Sequence, residues 1–374
     1  MESQPSFASL GRVAAIEKLY AECPFKGARN GSFACKNGRI ESVSRLLTEG
    51  IDFDLSYFPF KHLGYKSVVE ATAMLYARFA MPRCLNINLA VSAKLDFAQI
   101  QQLWEGICLA AKDYAYESVS LDIAASLNGL CIALSADGFI KDLDAKRRPA
   151  PKSKDLLCLS GNVGGAFLGM QILQREKAKM ADQVGHDARG VGHDARGVGH
   201  DARGVGHDGK GLDGVTPGLT GGLSMPGLEK HKLLVGDYLR PVLDADIPKL
   251  MADAGFYPAL GVCVDKGLSD AVKRLSGQCG LGAKIYLDRI PFGGGLFEAA
   301  KELQIDAAST ALNGGEDWRV LFTLPIDQFE KFRHDFQTWQ VIGHLALPEA
   351  GASLVMPDGV ELPLRAQGWK EDEA

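Results

Sequence analysis

The segment DLLCLSGNVGGAFLGMQILQREK, residues 155–177, reads as a short apolar strand, a glycine-rich turn and an amphipathic helix. Strand, turn and helix in that order form the unit from which α/β layers are built. The turn SGNVGGAFLG (160–169) also leaves backbone amides free at a helix start, where a phosphate can be cradled. It does not keep the spacing of the dinucleotide fingerprint. A tight turn and a phosphate cradle are both open as its purpose.

The same alternation extends to either side. SVVEATAMLYARF (67–79) has no Gly or Pro and reads as a buried helix. CLNINLAVSA (84–93) alternates apolar and polar residues, the period of a half-buried strand. FAQIQQLWEGICLAAKDY (97–114) puts Phe97, Ile100, Leu103 or Trp104, Ile107 and Ala111 on one helical face. Two more strands are expected around 118–123 and 130–135. A basic, Pro-punctuated link, KRRPAPKSK (146–154), separates this half from the next. Past Glu229, DIPKLMADAG is helical and PALGVCVDKGLSDAVKRLSG reads as strand, turn and helix. WRVLFTL (318–324) is a strand, PIDQFEKFRHDF (325–336) a helix with Pro in its first turn, and QVIGHLAL a last strand. The pattern predicts two α/β domains, each a sheet layered with helices.

Composition narrows the function classes. The 374 residues are 46% hydrophobic and 23% charged, a globular profile with room for two cores. A net charge of −5 gives no attraction to nucleic acid or to an anionic membrane. No apolar run reaches transmembrane length, and the start lacks the basic-then-apolar layout of a signal peptide. The eight cysteines are scattered without a CxxC pair, which excludes zinc-finger spacing and predicts reduced thiols in the cytoplasm.

Between the halves, residues 184–211 repeat the unit VGHDARG three times and begin a fourth, holding four of the eight histidines (186, 193, 200 and 207). Imidazole and carboxylate suit zinc, copper or nickel. The unit, however, is glycine-rich and offers only valine and alanine to bury, which cannot offset the entropy of ordering. A disordered insertion over 179–228 is expected, with weak metal binding at most. Two further stretches could carry chemistry. NGGEDW (313–318) sets a glycine pair before two carboxylates at a strand entrance, suited to a cation, to a substrate donor or simply to a solvated hairpin. VDKGLSDAVKRLSG (264–277) takes a strand end into a helix, where Asp265 can cap or act chemically.

Taken in order, EGIDFDLSYFPFKHLGYKSVV (49–69), LCLSGNVGGAFLGMQILQREK (157–177), GAKIYLDRIP (282–291), GGEDW (314–318) and LRAQGW (364–369) resemble the thiamine-monophosphate kinase family, part of the aminoimidazole-ribonucleotide synthetase superfamily. The resemblance covers most of 8–178 and 229–369. It implies an α/β (α+β) fold of two domains: an N-terminal ATP-binding and dimerisation domain over 1–145, and a C-terminal α/β domain over 146–178 and 229–369. It implies transfer of the γ-phosphoryl of ATP to thiamine monophosphate, giving thiamine diphosphate. In this chemistry Mg²⁺ ions held by aspartates neutralise two anionic reactants.

The departures from the family concentrate at those aspartates. The early Asp-Asp motif corresponds to GSFACKNGRIESVS (31–44), which has no Asp. Other family acids fall on Arg45, Met74, Asn162, Lys266 and Ala271, while Asp265 and Asp270 lie one residue off register. Asp122 survives, flanked by Ser120, Leu121, Ile123 and Ala124 where the family has Gly and Thr. The scaffold glycines Gly64, Gly161, Gly164, Gly267, Gly314 and Gly315 match, and GGED is intact with Trp318 in place of Tyr. The resemblance therefore implies a substrate or nucleotide pocket from Asp122, Gly161, Gly164, Gly267, Gly314, Gly315, Glu316, Asp317 and Trp318. Asp122 is its metal candidate, and no residue is assigned to catalysis. Arg45 and Lys266, with Lys36, either hold phosphate directly or are solvated side chains. The expected protein is kinase-like, impaired or inactive, and retains binding of a thiamine phosphate or nucleotide, or dimerisation. Its partner is a second copy or an intact kinase subunit. The alternative is an active thiamine-monophosphate kinase using ATP and Mg²⁺.

Overall fold

In the computed structural model, which describes residues 18–21, 30–190, 228–244 and 246–369, the N-terminal half builds a five-stranded sheet. Its strands are β1 (Asn30–Cys35), β2 (Gly38–Thr48), β3 (Met81–Ser92), β4 (Ser118–Ser126) and β5 (Cys131–Lys141), in the order β1-β2-β5-β3-β4. β3 and β4 run parallel and the other neighbours antiparallel. The β1–β2 hairpin, absent from the sequence expectations, turns at Lys36–Asn37, with Asn37 at φ +68°. Side chains of β2 alternate in burial, so Val43, Arg45 and Leu47 face inward while Ser44 and Leu46 face out.

Helix α1 (Phe60–Ala77) covers the inner face of this sheet and begins seven residues before the expected 67. Helix α2 (Phe97–Asp113) packs on α1 and starts with a capping box between Asp96 and Gln99. Leu103, Ile107 and Ala111 are buried as the periodicity predicts, but Phe97 at the helix start is 82% exposed. The two helices cross at glycines. A Cβ on Gly64 would collide with the Leu103 carbonyl, and one on Gly106 with the Lys61 carbonyl.

After a short helix α3 (Asp142–Arg147), the C-terminal half contributes β6 (Leu156–Leu159), α4 (Gly165–Gly190), α5 (Lys232–Leu239), α6 (Ile247–Asp253), β7 (Gly261–Val264), α7 (Leu268–Cys279) and β8 (Gly282–Tyr286). It continues with α8 (Leu296–Leu303), α9 (Ala307–Asn313), β9 (Arg319–Leu324), α10 (Phe329–Asp335), β10 (Gln340–Ala346), β11 (Ala352–Val355) and β12 (Glu361–Pro363). These strands form a seven-stranded sheet in the order β12-β11-β8-β10-β6-β9-β7. QVIGHLAL is therefore not the last strand, since β11 and β12 extend the sheet beyond β8. Helix α4 runs on to Gly190, through the first repeat unit. Repeat residues 191–211, for which disorder is expected, lie outside the described residues.

The outer side of α1 meets β7 and β9 of the second sheet, and Phe79 packs edge-on to Phe322 with ring centroids 6.1 Å apart. Sandwiched between two sheets, α1 is buried nearly all round, which explains why its sequence lacks a polar face. Its buried charged residues, Lys66 and Glu70, point into the junction of the two halves, while Lys61 is exposed and pairs with Glu105 of α2. No helix among the described residues is long and apolar enough to cross a membrane.

Candidate functional site

Three turns meet one another near α1, which Glu316 reaches. After α9, the GGEDW turn folds onto the turn that follows β7, with Glu316 N–H donating to the Asp265 carbonyl and Trp318 N–H to the Val264 carbonyl, both at 3.0 Å. Gly315, at φ +79°, lies so close to that turn that a Cβ would stand 2.7 Å from the Asp265 oxygen. Glu316 and Trp318 both adopt the left-handed region, at φ +66° and +54°. Such conformations cost a non-glycine residue on the order of 1–3 kcal/mol and persist only where the surroundings enforce them.

The enforced turn sends its side chains in different directions. Glu316 reaches α1, where its Oε2 sits 2.7 Å from Lys66 Nζ. The Lys66 side chain is only 2% exposed, and its ammonium lies 3.8 Å from the Tyr238 ring centroid. Neither Lys66 Nζ nor Glu316 Oε2 makes an aligned hydrogen bond among the described residues, so their contact is one of charge. One helical turn along, Glu70 Oε2 accepts from Arg45 Nε at 2.7 Å, and both side chains are buried. The Arg45 guanidinium stands 5.0 Å from the centroid of the buried Trp318 ring.

Asp317 turns the other way, toward the glycine-rich turn, and its two carboxylate oxygens both accept from Gly164 N–H at 2.9 Å. The amides that open α4, candidates for a phosphate cradle, are thus already occupied by a carboxyl group of the chain itself. Arg319 locks the same turn, packing on Gly161 and donating to the carbonyls of Asn162 and Val242. Beyond β7, Arg274 gathers the two off-register acids. Its Nη2 donates to Asp265 Oδ1 at 2.5 Å and its Nε to Asp270 Oδ2 at 2.7 Å. Trp369, the end of LRAQGW, donates its indole N–H to the other Asp270 oxygen at 2.9 Å.

Burial raises two carboxyls at this centre. It pushes Asp317 up to about 7, against the pull of the Gly164 and Ala166 amides and of Arg319. Glu70 is raised in the same sense by burial, which outweighs Arg45 beside it. Burial opposes the charge on Arg45, yet the Glu70 carboxylate, with Asp265 and Glu316 behind it, holds its pKa above the ordinary value.

The expected site residues divide into three groups. Gly161, Gly164, Gly267, Gly314, Gly315, Glu316, Asp317 and Trp318 come together in the three turns packed about α9 and β9, and Glu316 reaches α1 through Lys66. Asp122 does not join them. Its register row runs Asp122–Asn88–Ala133–Leu46, the outward face of the first sheet, while Arg45 belongs to the inward row with Leu134, Ile87 and Leu121. Asp122 is exposed there and accepts only from the Ile123 amide among the described residues. Arg45 departs from the phosphate-holding expectation, because it is 7% exposed and committed to Glu70. Lys266 is exposed on the turn beneath Gly315. Lys66, Glu70, Arg274 and Arg319 carry much of the electrostatics and were not singled out by sequence; Asp270 and Arg274 at i,i+4 are the one local signal.

The donor set does not fit the Mg²⁺ that the resemblance implies. Magnesium is usually bound through one or two carboxylates, with waters and substrate phosphates completing its shell, and here the acids paired at the junction are held by Arg45, Lys66, Arg274 and backbone amides. Among the described residues no group of three or more His, Cys, Asp or Glu is placed to hold a metal. The gap between Met74, Cys263, Asp265 and Arg274 measures about 50 Å³, space for a few waters rather than a nucleotide.

The architecture of two α/β halves joined across a buried helix is the aminoimidazole-ribonucleotide synthetase-like fold. The structure of AaThiL complexed with AMPPCP and TMP superposes with a TM-score of 0.70 over 97% of both chains, at 18% identity. Among curated proteins, the thiamine-monophosphate kinase of Bacillus subtilis is 25% identical over 145 residues, 38% of this chain and 45% of that protein. The match thus spans about half the length of that relative. The Aquifex aeolicus thiamine-monophosphate kinase is 21% identical over 291 residues, 77% of this chain and 76% of that one. No protein-family model matches the chain. By sequence the chain is thus similar to thiamine-monophosphate kinases, and its fold is the one seen in AaThiL.

Proposed function

We propose that this chain is a thiamine-monophosphate kinase-like protein in which metal-dependent phosphoryl transfer has been lost or severely reduced, its central cleft closed by internal ion pairs. The observation that carries this reading is the pairing of Arg45 with Glu70, Lys66 with Glu316, and Arg274 with Asp265 and Asp270. Transfer between two phosphates depends on positioning and on neutralising their charge. In this cleft the acids that would recruit cations are neutralised by the chain itself. The test is a Mn²⁺ titration of the full chain without nucleotide, read by electron paramagnetic resonance. Free Mn²⁺ persisting at every protein concentration is expected, and stoichiometric disappearance of the free signal sinks the reading.

The protein acts as a homodimer in this reading. Edge strand β4 is exposed on both faces, with Leu121 41% and Ile123 54% exposed on one side. On the outward face of the sheet Ser44, Ser135, Asn86 and Ser120 share one row, with Ser44 bonded to Ser135 and Ser120 donating to Asn86, beside the exposed Leu46. An unpaired edge beside such a face invites a second sheet. Sedimentation of the wild type as a dimer, and of Leu121→Glu/Ile123→Glu as a folded monomer, is the expected outcome.

A further inference from the structure

A second cavity lies between α10, the segment after β8 and the entry to β10, and it shares no lining residue with the ion-paired centre. Its volume is about 780 Å³, within the range of small-molecule sites. The floor is aromatic. Phe336 and Trp339 stack with ring centroids 4.4 Å apart and planes 14° from parallel, and Phe329 lies beside them. The floor is also fixed from behind, since Trp339 packs edge-on to Phe322 and donates its indole N–H to Asp244 at 2.7 Å.

Two guanidiniums from different elements stand at the rim. Arg333 of α10 lies 5.4 Å from the Phe329 ring centroid, and Arg289, after β8, lies 5.5 Å from that of Tyr286. Asp288 also reaches the rim, yet among the described residues neither arginine is in an ion pair. This contrasts with the central cleft, where Arg45 and Arg274 are both matched by carboxylates. Guanidiniums already ordered over aromatic faces, with their donors uncommitted, recognise phosphate by paired hydrogen bonds. A stacked aromatic floor accepts a flat ring. We propose that this cavity binds a phosphorylated heteroaromatic molecule of mononucleotide size, independently of the central cleft.

The test titrates the full chain with adenosine monophosphate, thiamine monophosphate, adenosine and inorganic phosphate, reading tryptophan fluorescence and thermal shift. At least one of the two phosphorylated ligands is expected to bind more tightly than adenosine or phosphate alone, and which one does distinguishes a nucleotide from a thiamine source. Arg289→Ala/Arg333→Ala, both at exposed positions, is expected to keep the melting profile of the free protein and weaken that binding roughly tenfold or more. Glu316→Gln, in the central cleft, is expected to leave it unchanged. The proposal is overturned if neither phosphorylated ligand binds the wild type, if adenosine binds as tightly as its monophosphate, if the double variant binds like the wild type, or if Glu316→Gln abolishes binding. None of these outcomes bears on whether the central cleft has lost metal binding.

Discussion

Arg45 Nε and Glu70 Oε2 meet at 2.7 Å where β2 faces α1, their side chains only 5% and 4% exposed. Neither could be buried there alone, since an isolated charge in such surroundings carries a penalty of several kcal/mol. The pair joins strand to helix, and Trp318 beneath Arg45 brings in the second half of the molecule. Lys66 and Glu316 repeat the arrangement one turn away on α1. Charge compensation within the chain thus occupies the junction of the two halves.

Breaking the first pair from one side is expected to cost far more than removing it. Arg45→Met should lower unfolding stability by about 3–5 kcal/mol, because Glu70 is left buried and unmatched. Arg45→Met/Glu70→Met should recover most of the loss. Urea denaturation of the two single variants and the double variant checks this, and additive losses would contradict it.

Arg274 is expected to act as a stand-in for a cation. Arg274→Met leaves Asp265 and Asp270 buried without their shared base, and should lower the melting temperature. It should also confer a stabilisation by millimolar Mn²⁺ or Mg²⁺ that the wild type lacks. Thermal shift with and without metal decides the matter, an identical metal response in both proteins counting against it.

The pH dependence has a definite sign. In the folded chain burial lets Asp317 keep its proton up to about pH 7, whereas unfolded it releases it near the ordinary value of 3.8. Between those values the native state binds more protons, so this group's contribution to stability is full below about pH 4 and is lost as pH rises to 7. The stability difference between wild type and Asp317→Asn should therefore shrink steadily from pH 4 to pH 7.5. Chemical denaturation across that range measures it, and a difference that grows with pH would contradict the assignment.

Two glycines should resist even alanine. Gly164, at φ +87°, would place a Cβ 2.7 Å from Leu296 Cδ1 and 3.0 Å from Thr310 Oγ1. Gly64→Ala would drive α1 off the Leu103 carbonyl of α2. Each substitution is expected to cost roughly 2 kcal/mol or more, through left-handed strain in the first case and overpacking in the second. Melting temperatures report both.

Much of the fold was legible in the sequence because its signals are local. The glycine-rich strand–turn–helix unit, the alternation of 84–93 and the periodicity of 97–114 each depend on neighbours along the chain. The β1–β2 hairpin carried a local signal too, Asn37–Gly38, but its flanking strands mix polar and apolar residues too evenly to stand out. The charge network was not legible. Glu70 sits in a helix whose sequence reads as buried throughout, and nothing near it shows that Arg45, 25 positions earlier, will arrive on the facing strand. Asp122 meets the same limit in reverse. Its identity matched the family pattern, but the face it occupies follows from strand register, which a single sequence does not display.

The most direct test of the central claim is product analysis with the full chain, ATP, thiamine monophosphate and excess Mg²⁺, following thiamine diphosphate by chromatography. No thiamine diphosphate above the protein-free background is the expected result, because the acids of the cleft are already matched by Arg45, Lys66 and Arg274. Saturable formation of thiamine diphosphate, abolished by Glu316→Gln or Asp317→Asn, would contradict it and show that these ion pairs open to admit metal.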